Sequence, residues 1–241
     1  MMINQTLTDT RAGTRILIAR KDANFFRLIK ARLKDEGYDV AGATDGEEAL
    51  KQISLHLPDL IVLDVTLSAR SGFEVCKRVR SDKTLPRVAI LALTARAEEA
   101  EIAFDLGADD HVTKPFTELE LMLRIRRLLR ARRPVPAETD TDEIAMEDLH
   151  LDIPRHQTTV AGKHVHLTLT EFNLLKVLAQ RRGRVQSRER LLQDVWNYNT
   201  SLDTRTVDTH VLRLRRKLGN AQRYLESVRG MGYRFVESDP A

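Results

Sequence analysis

The sequence is poor in cysteine and has no long apolar run, and each absence excludes a class of protein. One cysteine, Cys76, among 241 residues excludes an internal disulfide and is compatible with a reducing compartment. No apolar run approaches the roughly 20 residues that a membrane-spanning helix requires, and the first residues do not have the pattern of a signal peptide. We therefore expect a cytoplasmic protein that has no membrane partner.

The sequence also lacks a strong excess of charge of either sign, since its formal net charge is +4. The small excess of positive charge is unevenly distributed along the chain. Residues 1–130 carry 21 basic and 20 acidic side chains, whereas residues 147–241 carry 16 basic and 11 acidic ones. A basic carboxyl-terminal half is weak support for a polyanionic partner.

Short apolar runs alternate with helical patterns between residues 14 and 131, which we take as the first domain. The predicted strands cover residues 15–19, 39–43, 58–64, 87–94 and 111–113. Strict alternation of strands and helices is typical of an α/β domain with a doubly wound, five-stranded parallel sheet.

The third predicted strand ends on an acid, Asp64. Its run of apolar residues indicates a strand that is buried on both faces. An acid at the carboxyl end of such a strand lies where open α/β sheets hold their sites. If the run stood alone, a capping or turn aspartate would be the better interpretation.

Residues 132–146 form a predicted linker, because prolines and polar residues occur there without periodicity. Residues 147–238 form a predicted second domain, in which short strands precede three helices and a terminal hairpin. This order is typical of a winged helix-turn-helix, an α+β fold.

The third helix of this domain has one apolar stripe and a basic opposite surface. That surface presents Arg205, Thr209, His210, Arg213, Arg216 and Lys217. Arginine pairs with guanine in the major groove and also binds phosphates, so such a helix can read DNA. A solvated basic face is the alternative interpretation. Arg229, beside the Gly-Met-Gly hairpin tip, favours the DNA-binding one.

Four separated segments resemble the winged-helix DNA-binding domain of the OmpR/PhoB family. They are residues 167–175 (LTLTEFNLL), 187–192 (SRERLL), 205–211 (RTVDTHV) and 228–235 (VRGMGYRF). The resemblance implies that the third helix is the recognition helix and that promoter DNA is a partner. The implied contact residues are Arg205, Thr206, Thr209, His210, Arg213 and Arg216, with Arg229 in the wing.

Two further features follow from the same resemblance. Residues 197–203 match the loop through which such domains touch RNA polymerase. Leu212 stands where relatives often have a basic or polar residue, so part of the base preference is left open.

The first domain resembles the CheY-like receiver domain of two-component response regulators. Asp64 matches the phospho-acceptor, Thr94 the switch hydroxyl, and Lys114-Pro115 the lysine and its usual cis-proline, while His111 takes the site of the switch aromatic. The resemblance implies phosphoryl transfer to Asp64, with a lysine and a divalent metal neutralising the developing charge. It also implies a sensor histidine kinase as a possible partner.

One part of the receiver pattern is missing. Relatives end the first strand on two acids that hold magnesium, whereas this sequence has Arg20 and Lys21, followed by Asp22 one position too late. Since magnesium is usually anchored by carboxylates, two cations there are expected to repel it and to pair with Asp64 instead. We therefore predict an altered acidic pocket without a metal, and no catalytic residue.

The fourth helix, fifth strand and fifth helix form the dimer face in relatives. Charges suited to cross-subunit ion pairs are retained at Asp109, Asp110, Glu120, Arg124 and Arg127. Solvated surface charge is the competing interpretation.

Three hypotheses follow. The first is a DNA-binding transcription regulator of a two-component phosphorelay that dimerises through its receiver and binds DNA largely independently of phosphorylation. The second is a conventional regulator that is switched by phosphorylation of Asp64. The third is a phosphohydrolase that uses Asp64 as its nucleophile; it lacks a second acid placed for acid–base chemistry.

Overall fold

The computed structural model describes residues 13–82, 85, 88–131, 143–196 and 205–237. The chain divides into two compact units between Ile125 and Arg126. This division falls inside the last helix of the first domain, whereas the sequence pattern predicts a boundary after residue 131.

The first domain contains the predicted five-stranded parallel sheet. Its strands are β1 (Arg15–Ala19), β2 (Asp39–Ala43), β3 (Leu60–Asp64), β4 (Ala89–Thr94) and β5 (Asp110–Thr113). Their order is β2-β1-β3-β4-β5, and every neighbouring pair is parallel. The predicted doubly wound α/β fold is therefore confirmed.

Five helices cover this sheet. They are α1 (Ala23–Asp35), α2 (Gly46–His56), α3 (Gly72–Ser81), α4 (Ala97–Asp105) and α5 (Glu118–Ala131). Alternate strand residues such as Leu17, Ile61 and Ile90 belong to one core cluster with side chains of α2, α3 and α4. The intervening strand residues face α1 and α5, which are joined by an Arg32–Glu118 ion pair of 2.7 Å.

Over its described residues, the second domain combines two antiparallel sheets with three helices. The strands are β6 (Glu143–Ala145), β7 (Leu149–Asp152), β8 (Gln157–Val160), β9 (Lys163–His164), β10 (Gln186–Ser187), β11 (Leu225–Val228) and β12 (Gly232–Phe235). The helices are α6 (Leu169–Gln180), α7 (Arg188–Trp196) and α8 (Arg205–Leu218), and a 3-10 helix covers Gly219–Tyr224. The sheets have the orders β6-β7-β8-β9 and β10-β12-β11. Three helices and a terminal hairpin agree with the predicted winged helix-turn-helix.

The first strand of this domain corrects the predicted extent of the linker. Glu143–Ala145 pairs with β7 in antiparallel register, although the sequence pattern assigns residues 132–146 to the linker. A three-residue strand is too short to show periodicity, and only its pairing partner defines it. Residues 132–142 of the predicted linker lie outside the described part of the chain.

Helix-capping residues account for several element boundaries. Thr168 and Glu171 form a capping box at the start of α6, since each side chain accepts from the other residue's backbone N–H. At the start of α5, Thr117 and Glu120 form only half of such a box. The Thr117 hydroxyl accepts from the Glu120 N–H at 3.1 Å, whereas the Glu120 carboxylate binds Arg124 at 2.9 Å.

Candidate functional site

Three polar side chains lie at the carboxyl ends of three neighbouring strands. Asp64 is the last residue of β3, Thr94 is the last residue of β4, and Lys114 directly follows β5. Because β3, β4 and β5 are parallel neighbours, these ends share one edge of the sheet. The sheet order thus brings together the residues that the sequence assigns to the phospho-acceptor pocket.

Both carboxylate oxygens of Asp64 accept hydrogen bonds. The Lys114 ammonium lies 2.8 Å from Oδ1 and 2.6 Å from Oδ2, while the Thr66 N–H and hydroxyl donate to Oδ1 at 3.1 and 2.8 Å. Burial of Asp64 by itself raises its pKa, but the hydrogen bonds from Lys114 and Thr66 outweigh burial, so the pKa lies below the usual value. Asp64 is therefore a buried anion that is already neutralised by the chain itself.

Arg20 is a second cation beside Asp64. Its Nη1 lies 3.7 Å from Asp64 Oδ2, and its Nη2 lies 3.7 Å from Asp22 Oδ2. The guanidinium carbon lies 4.3 Å from the centroid of the Phe25 ring and 5.9 Å from that of Phe116. Cation–π contacts of this kind hold the guanidinium in the pocket.

The two neighbours of Arg20 have different environments. Lys21 is exposed. Asp22 is the N-cap of α1, where its Oδ1 accepts from the N–H groups of Asn24 and Phe25 at 3.0 Å each. The hydrogen bond from Phe25 is the main reason that the pKa of Asp22 is lowered. The carboxylate that follows β1 thus caps a helix.

The magnesium ion that receiver domains use does not fit the residues present here. Magnesium needs several hard oxygen ligands, and carboxylates usually supply the charged ones. Asp64 has a guanidinium where a second carboxylate is needed, and its oxygens already bind Lys114 and Thr66. Among the residues that the structure describes, no three His, Cys, Asp or Glu side chains are arranged to hold a metal ion.

The remaining predicted switch residues lie around β5. Thr94 is fully buried, and its hydroxyl is 3.4 Å from both the Val112 carbonyl and the Thr113 hydroxyl. His111 is half-buried and packs edge-on against Phe104, with ring centroids 5.1 Å apart. The peptide bond between Lys114 and Pro115 is cis, as the resemblance implies.

The predicted dimer-face residues fall into two groups. Arg124 binds both carboxylate oxygens of Asp110, at 3.0 and 3.1 Å, and also Glu120. Asp109, in contrast, is fully buried, where its Oδ2 accepts from Arg80 at 2.7 Å and from the Ile90 N–H at 2.8 Å. Arg127 is also buried.

The sequence does not indicate a role for Arg80. Its guanidinium binds the carbonyl groups of Gly107 and Val88 as well as Asp109, each at 2.7–2.8 Å. From the sequence alone, an arginine near the end of a helix that binds buried groups cannot be distinguished from one whose side chain lies in solvent. Its role in joining α3 to the segment before β5 depends on tertiary contacts.

Helix α8 buries one stripe and exposes the opposite one. Val207, Val211, Leu214 and Leu218 are at most 1% exposed. Of the predicted contact residues, Arg216 is exposed and Thr209 is partly exposed, whereas Thr206, His210 and Arg213 are buried. His210 Nδ1 lies 2.9 Å from the Thr206 carbonyl oxygen, and its ring packs against Trp196 at 5.0 Å. Arg205 is the first residue of the helix.

Asp208 joins the three elements of the helix-turn-helix and wing. Its Oδ1 accepts from Arg188 at the start of α7, at 2.8 Å, and from the Tyr233 hydroxyl on β12, at 2.6 Å. Burial and the hydrogen bond to Asp208 raise the pKa of Tyr233 to about 12. Neither Asp208 nor Tyr233 was assigned a role from the sequence, although both lie inside the motifs that carry the resemblance.

The wing is an antiparallel hairpin that presents Arg229. Strands β11 and β12 pair from Leu225↔Phe235 to Val228↔Gly232, and Arg229 is exposed at the turn. Gly232 has a φ of 153°, and a Cβ there would collide with the Gln186 carbonyl, so the strand pairing requires glycine. The loop 197–203, predicted to touch RNA polymerase, lies outside the described residues.

Two protein families match the chain. Residues 16–126 match the family described as "Response regulator receiver domain". Residues 162–235 match the family described as "Transcriptional regulatory protein, C terminal". None of the helices that the structure describes is both long and apolar enough to cross a bilayer.

Similar proteins are known over nearly the full length. The alkaline phosphatase synthesis transcriptional regulatory protein PhoP of Bacillus subtilis is 40% identical over 92% of this chain and 97% of its own length. The DNA-binding response regulator MtrA of Mycobacterium tuberculosis is 37% identical over 91% of this chain and 96% of its own length. The first name describes a transcriptional regulatory protein and the second a DNA-binding response regulator.

Solved structures have the same fold. A mutant of RitR aligns with a TM-score of 0.73 at 27% identity, covering 93% of this chain and all of that one. The response regulator DrrB, an OmpR/PhoB homologue of Thermotoga maritima, aligns with a TM-score of 0.50 at 30% identity, over 92% of this chain and 99% of that one. This chain therefore belongs to the OmpR/PhoB family and is a DNA-binding transcriptional response regulator of the two-component type.

Proposed function

We propose that this regulator binds promoter DNA as a receiver-mediated dimer without requiring phosphorylation of Asp64. The observation that carries this proposal is the cationic environment of Asp64, in which Lys114 contacts both carboxylate oxygens and Arg20 lies 3.7 Å from Oδ2. Phosphoryl transfer needs a free carboxylate oxygen and cations for the developing phosphoryl charge. Here the carboxylate is already engaged, so transfer to Asp64 is slow.

The contacts of Arg20 also favour one conformation of the pocket. Phe25 belongs to α1, and Phe116 follows the cis Lys114-Pro115 bond, with the two rings 5.9 Å apart in edge-on contact. Arg20 stacks on the first ring and lies close to the second. It thereby links the start of α1, the carboxylate of β3 and the segment after β5 in the absence of a phosphoryl group.

Dimerisation is assigned to the face formed by α4, β5 and α5. Arg124 is held there by Asp110 and Glu120, and the same surface exposes Leu119 and Leu123, one turn apart on α5. Exposed apolar side chains beside a fixed charge cluster are suited to contact with a second copy. Asp109 is left out of this face because its carboxylate is buried against Arg80.

Two further partners are part of the proposal. We assign residues 197–203 to contact with RNA polymerase, on the family resemblance alone. A sensor kinase is implied by membership of the family, and under this proposal it does not control DNA binding.

The test is intact-mass measurement after incubation with magnesium and a small phosphodonor, combined with DNA-binding assays. We expect no adduct on the native chain and the same DNA affinity with and without the donor. Asp64→Ala is the control for any adduct at that residue. The double variant Arg20→Asp/Lys21→Asp, which introduces two acids after β1, is expected to gain a magnesium-dependent adduct.

A conventional phosphorylation switch is the competing function, and the presence of Asp64, Thr94 and Lys114 at one sheet edge favours it. It predicts an adduct on the native chain that Asp64→Ala abolishes, together with an increase in dimerisation and DNA affinity. That outcome would refute phosphorylation independence.

A further inference from the structure

The exposed stripe of α8 has an apolar residue at its centre. Thr209, Leu212 and Arg216 follow one another at the same three- and four-residue spacing as the buried stripe, on the opposite side of the helix. Leu212 is 50% exposed, and Arg216 is exposed as well. The central residue of this stripe therefore has a side chain without a hydrogen-bonding group, between two residues that have one.

Leu212 is unusual within its domain. Among the described residues from 143 onward, large apolar side chains that are exposed occur only at Leu212 and at Met231 in the wing. Both positions belong to elements that the proposed function directs towards DNA. Because Leu212 is exposed on the side of α8 that faces away from the core, a position of this helix in the major groove would place its side chain against base edges.

Only one group on a major-groove base edge is apolar. Guanine, cytosine and adenine present donors and acceptors there, whereas thymine also presents its C5-methyl group. A leucine placed against a donor or acceptor leaves that group desolvated and without a partner, which is costly. A leucine placed against the methyl group buries apolar surface on both sides.

We infer that Leu212 contacts the C5-methyl group of a thymine in the major groove and so selects a T·A pair at one position of each half-site. This inference rests on the proposed use of α8 as the recognition helix. Arg216, one turn further along the same stripe, supplies the charge that holds the helix against the DNA backbone or a guanine edge.

The experiment removes one methyl group at a time. A binding element is first selected from random double-stranded DNA by the full chain, and each thymine is then replaced by deoxyuridine, which retains base pairing but lacks the methyl group. We expect the native protein to lose affinity about fourfold at one thymine per half-site, as one buried methyl group would give.

Substitutions at position 212 identify the contact. Leu212→Ala should bind thymine and deoxyuridine elements equally at that position, whereas Leu212→Met should keep the discrimination because it restores an apolar side chain of similar size. Met231→Ala is the matched control, since it removes the other exposed apolar side chain and should leave this discrimination unchanged. Circular dichroism of each variant verifies that it is folded. Substitution of a half-exposed residue is expected to change the stability of the fold little.

Three results would overturn the inference. An element without any deoxyuridine-sensitive thymine, or a sensitivity that Leu212→Ala retains, refutes the role of Leu212 while DNA binding by α8 stands. Failure to select any DNA sequence refutes the proposed function and this inference together.

Discussion

Asp64 carries a negative charge that two cations of the same chain compensate. This compensation determines how substitution of Asp64 changes the stability of the receiver. The Lys114 ammonium is within hydrogen-bond distance, and the Arg20 guanidinium lies at 3.7 Å. In a pocket of clustered carboxylates, neutralising one of them relieves repulsion. Here, neutralising Asp64 leaves two cations close together in a site that is only slightly exposed.

We predict that Asp64→Asn destabilises the receiver by about 3 kcal/mol at neutral pH, because it leaves buried charges uncompensated. The pKa of Asp64 is lowered in the folded state, so the stabilisation is present above the pKa of the unfolded chain, about 4, and is lost as the pH falls through the lower folded value. The difference between native and variant protein should therefore shrink in acid. Calorimetry of the receiver transition at neutral and acidic pH measures it.

Asp22→Asn is the matched control for this prediction. Its carboxylate is more exposed and caps α1, a position where asparagine is about as favourable as aspartate. It should change stability little. The double variant Arg20→Gln/Asp64→Asn should lose less than the sum of the single losses. If Asp64→Asn stabilised the receiver instead, Arg20 would not be compensating that charge.

Among the elements of the second domain, one carboxylate links the two helices and the wing strand that we propose to bind DNA. Asp208 on α8 accepts hydrogen bonds from Arg188 on α7 and Tyr233 on β12. The Arg188 guanidinium also lies 5.1 Å from the centroid of the Tyr233 ring. The two helices of the helix-turn-helix and the wing strand are therefore held together by side chains as well as by the apolar core.

We predict that Tyr233→Phe destabilises the carboxyl-terminal domain by about 2 kcal/mol, since it removes a hydrogen bond to a charged acceptor. The folded pKa of Tyr233 is raised to about 12, so its contribution is complete below the unfolded pKa, about 10, and declines as the pH rises towards 12. Fluorescence of the only tryptophan, the buried Trp196, reports unfolding of this domain.

Tyr38→Phe, in the other domain, is the control and should leave the fluorescence transition unchanged. A Tyr233→Phe variant as stable as the native chain at pH 8 would show that the hydroxyl contributes nothing to the joint between helix and wing.

For the molecule as a whole, the proposed dimer face combines exposed apolar residues of α5 with a charge cluster. Leu119 and Leu123 are 66% and 55% exposed and lie one turn apart, beside the Asp110–Arg124–Glu120 cluster. Burial of these side chains against a second copy would stabilise a symmetric pair.

We predict that Leu123→Glu weakens self-association at least tenfold, because it places a charge in the apolar part of the contact. Sedimentation equilibrium measures the dimer directly, and DNA carrying one or two half-sites separates dimerisation from base recognition. Affinity for a single half-site should not change, whereas cooperative binding to two half-sites should be lost.

Leu28→Glu provides the comparison, since Leu28 is 52% exposed but lies on α1. This variant should associate like the native chain. Equal self-association of both variants would exclude the α5 surface as the dimer contact.

Much of the fold could be predicted because the signals were local. Alternating apolar runs determine the order of strands and helices, and a short motif determines the N-terminal box of α6. The strand Glu143–Ala145 could not be predicted, since it exists only through pairing with β7. The burial of Asp109 could not be predicted either, because its partner Arg80 is 29 residues away in sequence.

Residue types at fixed spacing are enough to identify the family, the two folds and the unusual cations Arg20 and Lys21. Which of the two cations lies beside Asp64 depends on tertiary packing. Arg20 lies beside Asp64 and stacks on Phe25, while Lys21 is exposed and Asp22 caps α1. Consecutive residues leaving a strand point in different directions, and the packing of α1 against the sheet decides which of them enters the pocket.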